Sequence, residues 1–120
     1  MHGFSDTVGL RLSTSDDGDA IVELDAGDRH LNPHGTVHGG AIATLIDSAM
    51  GAAVATDGQA PVTIELKVTY LEPTPAGIVR ARAKVRKRGK RITVVECEVT
   101  DQEGDVVALG LGTFTTISKE

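Results

Sequence analysis

The chain has 120 residues, enough for one domain with a modest hydrophobic core, and we expect residues 1–120 to form that domain. Its net charge of −5 argues against a nucleic-acid-binding protein, whose surface would be basic. Aromatic residues make up only 2% of the chain, so the core has to be built from Val, Ile, Leu and Ala. Such a core leaves surface to bury elsewhere, which favours a homo-oligomer.

Cysteine content and the first residues of the chain indicate its compartment. The single cysteine, Cys97, cannot form an intrachain disulfide, and no basic segment followed by an apolar one opens the sequence. We therefore expect a cytoplasmic protein. The apolar run at residues 41–55 is shorter than the roughly 20 residues that span a bilayer, and it contains Asp47, so we expect no membrane helix.

The first half of the chain predicts a strand hairpin, a long loop and a helix. Residues 8–15 and 20–24 are strand-like and flank the sequence DDGD, which suits a tight turn. Residues 25–37 form a loop long enough to favour a functional role. The Ala-rich apolar run then predicts a central helix from about residue 39 to residue 55, surrounded by other structure because it is apolar on nearly every side.

The second half of the chain predicts consecutive strands. Apolar and polar residues alternate over residues 62–70, 79–86 and 93–99, and a final strand follows at residues 106–117. One helix followed by several strands is an α+β pattern with an antiparallel sheet. Because the helix has to bury nearly all its sides, we expect the sheet to wrap around it.

The two middle strands are predicted to pair about Gly89. This register places apolar residues opposite apolar residues, Arg80 opposite Glu98 and Arg82 opposite Glu96. It leaves five cations at the hairpin tip with no acidic neighbour nearby in the sequence: Arg86, Lys87, Arg88, Lys90 and Arg91. The tip is therefore a candidate anion site.

Three histidines, His30, His34 and His38, precede the helix at intervals of four. On a helix this spacing would align metal ligands, but Pro33 and Gly35 interrupt any helix here. No carboxylate or thiol in the loop obviously completes a coordination shell. We expect no metal site, and we expect His30 and His34 to be exposed loop residues.

His38, Gly39 and Gly40 lie where the helix is predicted to begin. A helix N-terminus presents unpaired N–H groups, and glycine lets a ligand approach the backbone, so the segment suits a developing oxyanion. Glycines that simply let the chain turn beneath the sheet would explain the same residues equally well.

Asp47 is a carboxylate within the apolar helix. An unpaired buried carboxylate is costly, so it needs a chemical role or a partner such as Ser48, Thr44 or a neighbouring strand. The rise of a helix places Asp47 roughly 12 Å from Gly39 along the axis, too far for both to contact one small reactive centre. A second chain can bring its own Asp47 to this Gly39, so a site shared between two chains is predicted.

The segment NPHGTVHGGAIATLIDSAMG resembles the signature of hotdog-fold acyl-CoA thioesterases. The branch is that of the phenylacetate-degradation thioesterases and the Arthrobacter-type 4-hydroxybenzoyl-CoA thioesterase. The likeness continues through VTIELKVTYLEPTPAG and VRKRGKRITVVECEVTDQEGDVVALGLGTF and so covers nearly the whole chain. It implies a long helix wrapped in a curved antiparallel sheet, and homodimers with two shared sites that commonly pair into homotetramers.

The resemblance also implies a role for each matching residue. Asp47 resembles the catalytic carboxylate, acting as general base on water or as nucleophile, and Gly39 resembles the N–H donor to the thioester carbonyl. Asn32 and His38 match positions that orient the thioester or the attacking water, and Thr63 matches a hydroxyl position that helps to hold that water. Those that match contacts to the CoA phosphates are Arg88, Gly89, Lys90 and Arg91.

The implied activity is hydrolysis of an acyl-CoA with a small, aromatic or medium-chain acyl group, without a cofactor. Two alternatives stay open. A hotdog hydratase or dehydratase acting on acyl thioesters would also use a histidine and a carboxylate, and His38 and Asp47 supply these types. A non-catalytic acyl-CoA binding or sensing module would leave the ester unchanged. Release of free CoA thiol separates hydrolysis from both.

Overall fold

A computed structural model describes residues 3–14 and 17–119 of the chain. The helices are α1 (Phe4–Val8), α2 (Gly39–Val54) and a short 3-10 helix (Asp28–His30). The strands are β1 (Leu10–Thr14), β2 (Ala20–Ala26), β3 (Gln59–Tyr70), β4 (Gly77–Arg88), β5 (Thr93–Thr100) and β6 (Val106–Ser118). They form one antiparallel sheet in the order β1-β2-β4-β5-β6-β3. Within the described residues, no helix has the length and apolar character needed to cross a bilayer.

Helix α2 lies at the centre of the core, and the sheet curls around it. It contacts strands β2 to β6. Its buried side chains are Ile42, Leu45, Ile46, Ala49, Met50 and Val54. Several residues between them, including Asp47, are half-buried. The predicted central helix at about residues 39–55 and the α+β fold class are confirmed, although one side of the helix is less covered than its apolar sequence predicts.

Two glycines of β6 allow α2 to lie close to the sheet. A Cβ atom at Gly110 would lie 2.6 Å from Cγ2 of Ile46, and one at Gly112 would lie 2.6 Å from Sδ of Met50. Both distances are far inside van der Waals contact. The helix therefore occupies space that any side chain at these two positions would fill.

The pairing of β4 with β5 differs from the predicted register. Ala83 lies opposite Cys97, and Arg82 lies opposite Glu98 instead of Glu96. The slip is two residues, which leaves every side chain on its predicted face because side chains alternate along a strand. Alternation therefore predicted the buried face correctly and the cross-strand partners wrongly.

The turn between β4 and β5 explains this difference. The N–H of Gly89 donates to the carbonyl of Ile92 at 2.8 Å, so the turn spans residues 89–92 and is not centred on Gly89. A bulge between Val85 and Lys87 adds one more residue to β4. Neither feature leaves a signal in the apolar–polar pattern.

The arginines of β4 have acidic partners in the folded chain. The ion pairs are Arg80 with Glu23, Arg82 with Asp17 and Asp19, and Arg86 with Glu96. Arg80 and Arg82 thus pair with residues of β2 and the turn before it, not with β5 as predicted. Arg86 has no acidic residue nearby in the sequence, but β5 brings Glu96 beside it in the folded chain.

The N-terminal hairpin begins later than predicted. Val8 ends α1, and Gly9, at a positive φ of 95°, separates it from β1, which begins at Leu10. Strand β2 pairs antiparallel with β1 as predicted. Residues 15 and 16, which the prediction placed at the end of the first strand and in the turn, lie outside the described residues.

Candidate active site

Asp47 of α2 has its partner on β3. The hydroxyl of Thr63 donates a hydrogen bond of 2.7 Å to Oδ1 of Asp47. Thr44, one of the partners considered from the sequence, instead donates to the carbonyl of Gly40 at 2.8 Å. The structure therefore brings together the predicted carboxylate and the predicted hydroxyl, and the partner comes from the neighbouring strand.

A β-bulge next to Thr63 helps to direct its side chain. On β6, Phe114 lies opposite Thr63 and Thr113 lies opposite Glu65, so Ile64 is the extra residue. A bulge bends the strand and re-aims the side chains beside it, and bulges are frequent next to active sites. The irregularity lies where β3 passes Asp47.

A cavity of about 290 Å³ opens beside Asp47 and Thr63. Small residues of α2 form one wall, Pro61 and Phe114 form another, and Ser5 of α1 contributes from the N-terminal segment. The predictions did not include these wall residues, because nothing in the local sequence indicates which strand or terminus closes a pocket.

The N-terminal segment is held in place by His30, which is 8% exposed and not the exposed loop residue predicted. Its Nδ1 accepts from the N–H of Gly27 at 3.0 Å, and its Nε2 lies 2.7 Å from the carbonyl of Val8. The neutral ring with its proton on Nε2 satisfies both bonds, which makes its burial tolerable. Arg29 donates to two carbonyls at the end of α1.

The histidines do not converge on one point. The ring of His30 bonds to backbone groups, His34 is exposed as predicted, and Nδ1 of His38 accepts a bond from the backbone. Across residues 3–14 and 17–119, no group of three or more His, Cys, Asp or Glu side chains is placed to hold a metal ion.

Two side chains hold the start of α2. His38 is the N-cap, and its Nδ1 accepts from the N–H of Gly40 at 2.8 Å. The hydroxyl of Tyr70, at the end of β3, donates to the carbonyl of Gly39 at 2.6 Å. Neither glycine has a positive φ, so the backbone conformation does not require them.

Asn32 closes the loop before the helix. Its Oδ1 accepts from the N–H groups of His34 and Thr36 at 2.9 and 3.2 Å, and its Nδ2 donates to Oγ1 of Thr36 at 2.9 Å. Asn32 and Gly39 line a second cavity of about 360 Å³. Thr74 also lines this cavity, and its buried hydroxyl has no hydrogen-bond partner within the described part of the chain.

One chain holds the predicted catalytic residues in two places. Asp47 and Thr63 line the first cavity, Asn32 and Gly39 line the second, and the two cavities share no residue. The separation agrees with the spacing of Asp47 and Gly39 along the helix. A single chain therefore holds these two groups of predicted catalytic residues in separate cavities.

The hairpin tip forms a third cavity, of about 220 Å³. Its lining includes Arg88, Gly89, Lys90 and Arg91. Arg88 also holds the end of α2, because its guanidinium donates to the carbonyls of Val54 and Ala53 at 3.1 and 3.3 Å. Lys90 and Arg91 are exposed. The tip thus combines a helix-capping arginine with two cations that face solvent.

Residues 34–108 of the chain match the thioesterase superfamily. The chain belongs to this superfamily. The thioesterase is 33% identical over 106 residues to acyl-coenzyme A thioesterase PaaI of Escherichia coli, covering 88% of this chain and 76% of that protein. It is 32% identical over 105 residues to acyl-coenzyme A thioesterase 13 of Homo sapiens, covering 84% of this chain and 75% of that protein.

Solved structures agree with this membership. The BH2602 protein of Bacillus halodurans, solved with CoA, superposes with a TM-score of 0.91 at 35% identity, covering all of this chain and 82% of that one. The Escherichia coli PaaI protein superposes with a TM-score of 0.87 at 32% identity, covering 94% of this chain and 83% of that one. The predicted hotdog fold and the prediction of a thioesterase are confirmed.

Proposed function

We propose that the thioesterase hydrolyses acyl-CoA, with a small, aromatic or medium-chain acyl group, to the free acid and CoA. The observation that carries this proposal is the Asp47 carboxylate, held by Thr63 at 2.7 Å beside a cavity. A carboxylate next to a cleft supplies the base or nucleophile that thioester hydrolysis needs. Relatives named acyl-coenzyme A thioesterases and a structural neighbour solved with CoA support the substrate class.

Asp47 can act in either of two ways. As a general base, it takes a proton from water, whose oxygen attacks the thioester carbonyl carbon. As a nucleophile, its own oxygen attacks that carbon, and water then cleaves the resulting anhydride. In both routes the carbon–sulfur bond breaks and the leaving thiolate takes up a proton. Thr63 donates to Oδ1, and we assign Oδ2 to the reaction.

The negative charge that develops on the carbonyl oxygen needs a donor, and we assign the N–H of Gly39 to this task. The start of a helix presents such N–H groups together with the positive end of the helix dipole. Asn32 and His38, which lie on the loop before the helix, are assigned to orient the thioester. These residues lie at or beside the second cavity and apart from Asp47, so we propose that each cavity is a half-site and that a complete site needs two chains.

Strand β3 is the edge at which a second chain is proposed to bind. It ends the sheet order, and Val62 and Ile64 are 39% and 56% exposed. An edge strand offers unpaired backbone groups to a second strand. Thr63 and Tyr70 lie on this same strand, the first bonded to Asp47 and the second to Gly39.

Antiparallel pairing of two β3 strands about a two-fold axis between Leu66 and Lys67 would place Thr63 opposite the partner subunit's Tyr70. Asp47 of one chain then approaches the partner subunit's Gly39, twice per dimer. Leu109 and Leu111, which are 42% and 50% exposed on the sheet, support further association of dimers into a homotetramer.

The hairpin tip is assigned to the CoA phosphates. CoA is a polyanion, and an acidic protein has to concentrate cations where the phosphates lie. Lys90 and Arg91 are exposed there, and Arg88 and Gly89 complete the lining of the tip cavity.

A thiol-release assay over short, medium-chain, long and aromatic acyl-CoAs tests the activity, with Asp47→Asn beside the wild type. We expect the variant to lose activity by about a hundredfold or more, since the amide is neither base nor nucleophile. Asp57→Asn, a change at an exposed acid outside the cavities, is the control and should keep full activity. Full activity in Asp47→Asn, or binding of the ester without thiol release, would contradict the proposal.

Mixed dimers test the shared site. Asp47→Asn and Gly39→Val each inactivate a different half-site, so exchange of subunits leaves one intact site in every mixed dimer. Equal amounts of the two inactive variants should recover about a quarter of wild-type activity after statistical exchange. Sites built from one chain would recover none.

A further inference from the structure

We propose that Tyr70 is a positioning residue that acts on His38 through the Gly39–Gly40 peptide group, so that the imidazole presents an Nε2–H donor to the thioester. This inference rests on the proposed function of the half-site as the place where the acyl-CoA carbonyl binds. It adds a residue from β3 to a half-site whose other members come from the loop and the helix.

Two hydrogen bonds link Tyr70 to His38 through the peptide group between Gly39 and Gly40. The hydroxyl of Tyr70 donates to the carbonyl of Gly39 at 2.6 Å. The N–H of Gly40 belongs to the same planar peptide group and donates to Nδ1 of His38 at 2.8 Å. A donor at the carbonyl polarises the N–H at the other end of the group, which strengthens its bond by about 10–30%. Tyr70 therefore supports the bond that holds the imidazole.

The hydrogen bond from the N–H of Gly40 to Nδ1 of His38 decides where the imidazole carries its proton. A nitrogen that accepts a hydrogen bond has its lone pair free, so the neutral ring of His38 has its proton on Nε2. The ring is exposed in the single chain, which leaves Nε2–H available to a ligand. His38 thus serves as a hydrogen-bond donor, and its Nδ1 is already occupied by the backbone.

The two glycines provide the space for this arrangement. A Cβ atom at Gly39 would lie 3.3 Å from the hydroxyl oxygen of Tyr70, and one at Gly40 would lie 3.0 Å from Nδ1 of His38. A tyrosine hydroxyl is protonated at neutral pH and can donate, and partial burial raises the pKa of Tyr70 further from that range. Tyr70 also lines the cavity that contains Asn32 and Gly39.

The test compares wild type with Tyr70→Phe in protein labelled with ¹⁵N at histidine and at the backbone. In the wild type, ¹⁵N–¹H correlations should show His38 with its proton on Nε2. In Tyr70→Phe, part of the population should move to the Nδ1–H tautomer, and the Gly40 amide should exchange faster. We expect kcat to fall about three- to tenfold with KM within about twofold, because the donor is less well placed.

Two internal references accompany this measurement. The tautomer of His30, whose bonds involve Gly27 and Val8, should not change. Thr69→Val removes a hydroxyl from the adjacent residue of β3, which lines a groove elsewhere on the sheet, and should leave kcat and the His38 signals as in the wild type.

A second variant separates donation from capping. His38→Asn keeps a side chain well suited to the N-cap but removes the imidazole N–H. We expect its thermal stability to match the wild type while kcat falls as much as in Tyr70→Phe or more. Wild-type kcat in His38→Asn would show that only the cap matters and would overturn the inference.

Failure of this inference is distinguishable from failure of the proposed function. An unchanged His38 tautomer and unchanged Gly40 exchange in Tyr70→Phe would overturn the role of Tyr70, even if the wild type hydrolyses acyl-CoA. Absence of acyl-CoA hydrolysis by the wild type would overturn the proposed function, and with it the assignment of Nε2–H to the thioester.

Discussion

The hydroxyl of Thr63 on β3 donates to Oδ1 of Asp47 on α2 across 2.7 Å. A hydrogen bond to a charged group contributes about 1.5–3 kcal/mol, so its loss should reduce kcat about ten- to a hundredfold. Thr63→Val removes the hydroxyl and keeps the shape of the side chain. The melting temperature of Thr63→Val should fall by several degrees at most, because Thr63 is exposed in the single chain and its hydroxyl can be replaced at Asp47 by water.

Thr63→Ser is the matched control, since it keeps the donor and loses one methyl group. It should retain most of the activity in the same thiol-release assay. Equal losses in Thr63→Ser and Thr63→Val would mean that the methyl group, not the hydrogen bond, supports catalysis.

Arg88 and Arg91 lie in the same tip but should respond differently to substitution. Arg88 donates to the last carbonyls of α2, so Arg88→Ala should lower the free energy of unfolding by about 1 kcal/mol. Arg91→Ala should leave stability unchanged and raise KM for CoA esters. The measurements are urea unfolding and steady-state kinetics on CoA esters and on esters of a truncated carrier without the phosphates.

The carrier comparison decides the phosphate assignment. If the tip binds phosphates, the effect of Arg91→Ala on KM should disappear with the truncated carrier and weaken at high salt. Equal losses on both carriers would remove the assignment of the tip to CoA, while leaving the capping role of Arg88 intact.

Much of the fold could be predicted because burial imposes periodicity on the sequence. The apolar run of α2 and the alternation along β3 to β6 each follow from which side of an element meets the core. The register of β4 and β5 could not be predicted in this way, because a two-residue slip preserves the alternation. It depends on the bulge after Val85 and on the turn that follows Gly89.

Some residues of the candidate site could likewise be predicted from the sequence, and others could not. Asp47 could be singled out because a carboxylate in an apolar helix needs an explanation. Tyr70 was missed because, in the sequence, it simply continues the apolar face of β3. Its hydroxyl meets Gly39 only when the strand passes the start of the helix. His30 was misjudged for a similar reason, since the partners that make its burial possible are backbone groups.

Gly110 should be among the residues least tolerant of an added methyl group. A Cβ there would lie 2.6 Å from Cγ2 of Ile46, a branched side chain with little freedom to move. Gly110→Ala should therefore lower the free energy of unfolding by about 1–3 kcal/mol in urea titrations. Gly58→Ala is the control, because a Cβ there meets nothing within 4 Å, and it should change stability by less than about 0.5 kcal/mol. Equal stability of the two variants would contradict the close packing of α2 on β6.

Cys97 should make stability depend on pH in the alkaline range. Burial raises the pKa of its thiol to about 12, against about 8.5 in an unfolded chain. Between these values the unfolded chain has lost the proton that the folded chain keeps, so the free energy of unfolding falls as the pH rises. The stability of the wild type relative to Cys97→Ala should therefore drop by about 2 kcal/mol from pH 8 to pH 10, measured by urea unfolding. A difference that stays constant over this range would show that the thiol ionises as easily in the folded protein as in the unfolded chain.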